Sequence, residues 1–143
     1  MSASPFTNEE IARLRDSFLV LIPVTDELAG TFYNHFFAEH PEVRVQFKPD
    51  IQSQQDKLVE TFAALLDVLH RPDMAEPVLM SLGKQHVHYG ATNELYDWVA
   101  KKIPNLIADE LTPGPEADQL VELWSRLMLF VVETMMKGAA EKS

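Results

Sequence analysis

The five histidines are the side chains of this sequence best suited to bind a metal ion or to transfer protons near neutral pH. Leu79, Leu82 and His86 follow one another at i, i+3 and i+7 in a helical pattern, so His86 lies on the apolar face of its helix. His88 falls on the polar face, and the other three histidines lie beside an apolar face or at a helix end. His86 is therefore the histidine that packing turns inward, either as a hydrogen-bonded core residue or as a ligand.

Two other polar side chains lie on predicted apolar faces. Tyr33 shares its face with small and aromatic residues, which is typical of a core tyrosine whose hydroxyl reaches the rim of the core. Gln54 lies four residues before Leu58 at the start of an apolar stripe, although a solvated first-turn residue would show the same pattern. Gln52 and Gln55 flank it and leave the register open; Gln54 is preferred because it alone keeps the four-residue offset to Leu58.

The elements that carry these residues are helices. Apolar residues recur with a helical period, and no stretch alternates as a half-buried strand does. The pattern predicts an all-α fold with a first helix from the capping box at Thr7 to Pro23, helices over about 26–39, 52–70, 74–88, 92–111 and 116–137, a short piece from Pro41, and Gly138 beyond the last helix. The unequal lengths favour six to eight helices crossing at steep angles around a cavity over a regular bundle.

Length and composition narrow the classes of function. A chain of 143 residues has the size of one domain, expected over residues 1–143. The 12 Lys and Arg against 22 Asp and Glu leave a net charge of −10, which disfavours nucleic acid and anionic membrane surfaces as partners. The absence of cysteine excludes thiolate metal sites and a cysteine nucleophile. No secretory signal and no apolar run of membrane-spanning length is found, so we expect a cytoplasmic protein.

Four ordered segments resemble the globin family. Residues 82–91, LGKQHVHYGA, resemble the L-G-x-x-H-x-x-Y-G segment of globins, and residues 32–37, FYNHFF, resemble the F-Y-x-x-F/L-F segment of bacterial globins. Pro41 and Phe47 are spaced as in the globin C helix and the corner after it, and residues 53–58, SQQDKL, resemble the distal helix of the bacterial group. The resemblance extends from about residue 7 to residue 137 and is strongest to single-domain bacterial globins and the haem half of flavohaemoglobins.

The resemblance implies haem b as cofactor and assigns roles around it. His86 would be the proximal iron ligand, Phe47 would stack on the haem, and Leu58 and Leu82 would line the pocket. Tyr33 and Gln54 would donate hydrogen bonds to a ligand on the distal side.

The imidazole of His86 needs a second partner that fixes its tautomer, and either Tyr96 or the backbone carbonyl of Leu82 could serve. In flavohaemoglobins a tyrosine ten residues beyond the histidine, matched here by Tyr96, makes this contact together with a glutamate. The position that matches this glutamate falls near Ala139 in this chain. The lack of a carboxylate there weakens the case for an anionic imidazole of the peroxidase type. Arg44, Lys57 and Lys84 could reach haem propionates, although solvation is the simpler role for each.

The implied function is reversible binding of dioxygen, with nitric oxide or carbon monoxide as further ligands, for oxygen transport or nitric oxide detoxification. Nitric oxide dioxygenase or nitrite reductase activity is open as a side activity, and because no glycine-rich nucleotide motif occurs, its electrons would come from an external reductase. The alternatives are a haem-based gas sensor and a haem-free helical interaction module in which His86 is structural. A haem with Tyr33 or Gln54 as sixth ligand also stays open.

Overall fold

The computed structural model describes residues 4–141, and every regular element in that range is helical. The elements are α1 (Asn8–Leu21), a 3₁₀ turn at Ile22–Val24, α2 (Thr25–Glu39), a 3₁₀ segment at Pro41–Gln46, α3 (Ile51–Val68), α4 (Pro72–His88), α5 (Asn93–Asp109) and α6 (Pro115–Ala140). The predicted all-α fold is confirmed. No helix within residues 4–141 has the length and apolar content needed to cross a bilayer.

Side-chain caps define where three of the helices begin. The Thr7 hydroxyl accepts from the Glu10 amide at 3.1 Å, and the Glu10 carboxylate accepts from the Thr7 amide at 3.0 Å, which confirms the predicted capping box of α1. Asp50 caps α3 and Thr92 caps α5 in the same way, each accepting from the amide three residues further on. These caps satisfy amides that have no partner inside the helix, and they set the register of the side chains that follow.

The end of α4 is a Schellman motif built around His86. Gly90 adopts a positive φ of 77°, which glycine reaches without steric cost. The Gly90 amide donates to the Val87 carbonyl and the Ala91 amide to the His86 carbonyl, both at 3.1 Å. The backbone of His86 is therefore held in the last ordered turn of α4.

Two glycines bring α4 and α6 into direct backbone contact. A Cβ on Gly83 would lie 1.8 Å from the Met135 carbonyl oxygen, and one on Gly138 would lie 2.2 Å from that of Met80. Both positions therefore require glycine at this helix separation. The prediction that Gly138 lies beyond the last helix is wrong: α6 continues to Ala140, because the contact with α4 buries Gly138 and makes up for its low helix propensity.

The core lies where α1, α5 and α6 meet the inner faces of α2 and α3. Trp124 of α6 is 1% exposed, and its indole nitrogen donates to the Ser17 hydroxyl of α1 at 3.0 Å. α4 packs along α6 but touches α3 only sparsely. The helix that carries His86 is thus attached to the protein mainly from one side.

Candidate functional site

His86 has one ring nitrogen occupied by its own helix. Its Nδ1 lies 2.7 Å from the backbone carbonyl oxygen of Leu82, one turn earlier. Because a carbonyl can only accept, Nδ1 carries a hydrogen, and in the neutral ring this tautomer leaves the lone pair on Nε2. The side chain is half-buried. A neutral imidazole with a free Nε2 and a fixed ring orientation is the form that binds a metal.

Tyr96 packs beside His86 without bonding to it. The two ring centroids are 6.5 Å apart, and the Tyr96 hydroxyl is buried with no hydrogen-bond partner in the described part of the chain. The resemblance to flavohaemoglobins implied a hydrogen bond here, and the structure shows the Leu82 carbonyl in that place instead. The physical reason is that Nδ1 carries a single hydrogen, which the Leu82 carbonyl already accepts. Burial raises the pKa of Tyr96.

Tyr33 and Gln54 form a hydrogen-bonded pair between α2 and α3. The Gln54 amide nitrogen donates to the Tyr33 hydroxyl oxygen at 3.2 Å. Burial raises the pKa of the Tyr33 phenol, and the Gln54 bond opposes this in part, so the hydroxyl stays protonated at neutral pH. Because its oxygen accepts from Gln54, its own hydrogen is available for another acceptor. Of the three candidate glutamines, Gln54 alone makes this contact: Gln52 donates to Asp56 at 3.0 Å on the surface, and Gln55 lies beside Gly30.

Phe47 closes one side of the same region. Its ring contacts Tyr33 at 5.7 Å and Phe37 at 5.3 Å between centroids, both at steep angles. Phe47 is only half-buried although it belongs to this aromatic cluster. Leu58 of α3 and Leu82 of α4 are half-buried as well. These three side chains leave apolar surface that a further apolar group could cover.

An apolar cavity of about 70 Å³ lies behind Leu58. Phe32, Phe62, Ile103 and Trp124 are among the side chains around it. Its lining is almost wholly apolar, so it offers no partners to an ordered water. The sequence favoured helices that cross around a cavity but did not locate this one, because its lining comes from five helices that each follow an ordinary core pattern.

Apart from Leu58, which borders the cavity, the site residues fall into two groups, one of Tyr33, Gln54 and Phe47 and one of His86, Leu82 and Tyr96. Within residues 4–141 no hydrogen bond or ring contact joins them, and α3 and α4 meet only sparsely. No three His, Asp or Glu side chains of that range come together as a metal site. A metal at His86 must therefore bring most of its own ligands. A large apolar plate with a metal at its centre fits these residues: it needs one neutral imidazole, half-exposed apolar neighbours and two helices that do not close on each other.

Comparison with known proteins agrees with this arrangement of helices. The family model for Globin matches residues 30–135, most of the sequence, and the chain belongs to the globin family. An uncharacterized globin-like protein of Aquifex aeolicus (strain VF5) is 20% identical over 130 residues, which are 91% of each protein.

Solved structures are similar as well. A bacterial globin from Campylobacter jejuni superposes with a TM-score of 0.71 at 20% identity, over 92% of this chain and 97% of that chain, and shows the same fold. The closed form of the HGbRL globin domain is 30% identical, covers 94% of this chain and 96% of its own, and has a TM-score of 0.41.

Proposed function

We propose that this globin binds haem b through His86 and binds dioxygen reversibly, with nitric oxide and carbon monoxide as further ligands. The observation that carries the proposal is the Nδ1 contact of His86 with the Leu82 carbonyl. This contact leaves the lone pair of Nε2 available to bind a metal beside apolar surface. Family membership supports the cofactor, since globins generally bind haem. When bound, haem b would supply a ferrous iron with an open position for a diatomic gas.

The chain's own part on the proximal side is to present a neutral imidazole. The partner of Nδ1 is an uncharged carbonyl, and Tyr96 adds no hydrogen bond. The electron donation expected from an imidazole made anionic by a carboxylate is therefore absent at this histidine. This favours reversible binding of a gas over cleavage of an oxygen–oxygen bond.

On the other side, Tyr33 and Gln54 would hold the ligand. A dioxygen ligand with partial negative charge would accept a hydrogen bond, and the Tyr33 hydroxyl, which is buried and protonated at neutral pH, has its hydrogen free to donate. Gln54 keeps that hydroxyl in place through its amide. A hydrogen bond to a charged acceptor contributes about 1.5–3 kcal/mol, so loss of one bond should speed release by about tenfold to a hundredfold.

The first test is haem binding itself. We expect the purified protein, or apoprotein given haemin, to show a Soret band, and the His86→Ala variant to lose it or retain haemin far more weakly. His88→Ala is the matched control, because His88 lies on the exposed side of the same helix turn and should keep the spectrum. A colourless wild type that takes up no haemin contradicts the proposal and favours the haem-free interaction module.

The second test concerns the ligand. The dioxygen dissociation rate is measured by stopped flow for Tyr33→Phe, Gln54→Leu and the surface control Gln52→Leu. We expect faster release from the first two variants and an unchanged rate for the third. Equal rates in all of them would contradict the assignment of the Tyr33–Gln54 pair as the ligand's hydrogen-bond donors.

Nitric oxide detoxification is proposed as a consequence of dioxygen binding with an external reductase as electron source. The oxygenated protein mixed with nitric oxide should yield nitrate in a single turnover. Continued turnover should then require an added reductase. A protein that forms no nitrate in the single turnover lacks this activity.

A further inference from the structure

Arg44 is hydrogen-bonded to the corner between the 3₁₀ segment and α3, residues 47–50, which carries Phe47. The guanidinium Nη1 donates to the backbone carbonyls of Phe47 and Lys48, both at 3.2 Å. Nη2 donates to the carbonyl of Pro49 at 3.4 Å. Three successive carbonyls of an irregular segment thus share one cation, at the place where the chain passes from the 3₁₀ segment to α3.

The same guanidinium also lies over an aromatic ring. Its central carbon is 5.1 Å from the centroid of the Phe37 ring, within the range of a cation–π contact. Phe37 in turn packs against Phe47 at 5.3 Å and against Tyr33 at 5.8 Å. Arg44 therefore connects the backbone of the corner with the aromatic cluster that contains Tyr33.

These contacts need the planar fork of arginine. A lysine ammonium carries the same charge but is a single point with no flat face, and it cannot spread two nitrogens over three carbonyls while stacking on a ring. The carbonyls have no helical partner, so without Arg44 only water would satisfy them and the corner would gain conformational freedom.

We propose that Arg44 is a positioning residue that holds Phe47 in its binding conformation before any ligand enters. The proposal rests on the proposed function in one respect, because Phe47 matters to the extent that it contacts haem. The competing role is an ion pair between Arg44 and a haem propionate, which a lysine could also form. The hydrogen bonds of Arg44 to three successive carbonyls, here called the carbonyl clamp, could not be formed by lysine.

The first measurement uses apoprotein and is independent of haem. Hydrogen–deuterium exchange is followed for peptides covering residues 44–50 in wild type, Arg44→Lys and Arg44→Met. We expect exchange there to become about ten- to a hundredfold faster in both variants, the range for loss of one charge-assisted bond. Exchange in α6 should not change. The controls are Arg15→Lys and Arg15→Met, because Arg15 is an exposed arginine whose partner, Asp67, lies outside the corner.

The second measurement is the rate at which haemin passes to an excess of a haem-scavenging apoprotein. Both Arg44 variants should release haemin about tenfold faster than wild type, and the Arg15 variants at the wild-type rate. A lysine variant that keeps the wild-type rate while the methionine variant does not would overturn the clamp in favour of the ion pair. Faster exchange with unchanged haemin release would also overturn it. If wild type binds no haemin, the proposed function fails, and the exchange data alone decide whether Arg44 orders the corner.

Discussion

Replacement of Gly138 by alanine probes how α6 positions His86. The new Cβ would lie 2.2 Å from the Met80 carbonyl oxygen, 2.5 Å from its Cα and 2.6 Å from its carbonyl carbon. Cβ atoms essentially never approach other heavy atoms closer than 3.0 Å, so the two backbones must separate by at least about 0.8 Å. All three obstructing atoms are backbone, and no side-chain rotation can relieve the clash. The displacement acts on α4 less than two turns before His86.

The free energy follows from two opposing effects. Alanine favours the helix by about 0.8–1 kcal/mol over glycine, whereas overpacking of a close contact costs about 1–3 kcal/mol. We therefore expect Gly138→Ala to lower the free energy of unfolding by up to about 2 kcal/mol. Gly83→Ala meets the Met135 oxygen at 1.8 Å and should be the more damaging of the two.

The assay is urea unfolding of the apoprotein followed by circular dichroism, with haemin release measured on the haem-loaded protein. Gly30→Ala is the matched control: it also lies inside a helix, but its Cβ would meet only the Gln55 side chain, at an ordinary 3.7 Å. It should be as stable as wild type or more stable, by up to about 1 kcal/mol. If Gly138→Ala is stabilised as much as Gly30→Ala, or retains haemin as wild type does, the inference that the close α4–α6 contact sets the position of His86 is refuted.

Three further predictions concern buried polar groups. Because burial raises the pKa of Tyr33 and Tyr96, the unfolded chain ionises these phenols first, and the free energy of unfolding should fall as the pH rises from about 10 through the folded pKa values. A Tyr33→Phe/Tyr96→Phe double variant should flatten this slope, and a slope equal to that of wild type would contradict the argument. Tyr96→Phe removes a hydroxyl without a partner and should raise the stability of the apoprotein by about 1 kcal/mol; a loss of similar size would show that the hydroxyl is bonded in solution. Ser17→Ala leaves the Trp124 indole N–H buried and unpaired, at a cost of about 1–3 kcal/mol in urea unfolding, and an unchanged midpoint would contradict this.

The all-helical fold and its family were accessible from the sequence. Each helix is amphipathic, and each cap depends on residues within a few positions of one another, as at Thr7 and Glu10. The positions of the site residues on their helix faces were accessible for the same reason. Their roles at a haem stay predictions, because they depend on a cofactor and not on local periodicity.

Contacts between distant segments were decided only by the tertiary structure. The sequence left the register of Gln52, Gln54 and Gln55 open, and the packing of α2 on α3 brought the Gln54 amide to Tyr33. The sequence also left two candidate hydrogen-bond partners for the His86 ring. The choice of the Leu82 carbonyl over Tyr96 depends on where α5 places the phenol relative to α4.

Local sequence therefore determined which residues form each helix and which face each one presents, since helix periodicity and capping act over a few residues. The distances between helices were decided by packing. The glycine contact of α4 with α6, the wrong prediction at Gly138 and the carbonyl clamp of Arg44 all depend on which backbone lies within a few ångströms of a given side chain. That proximity exists only once the chain has folded, because it is a property of pairs of segments and not of either segment alone.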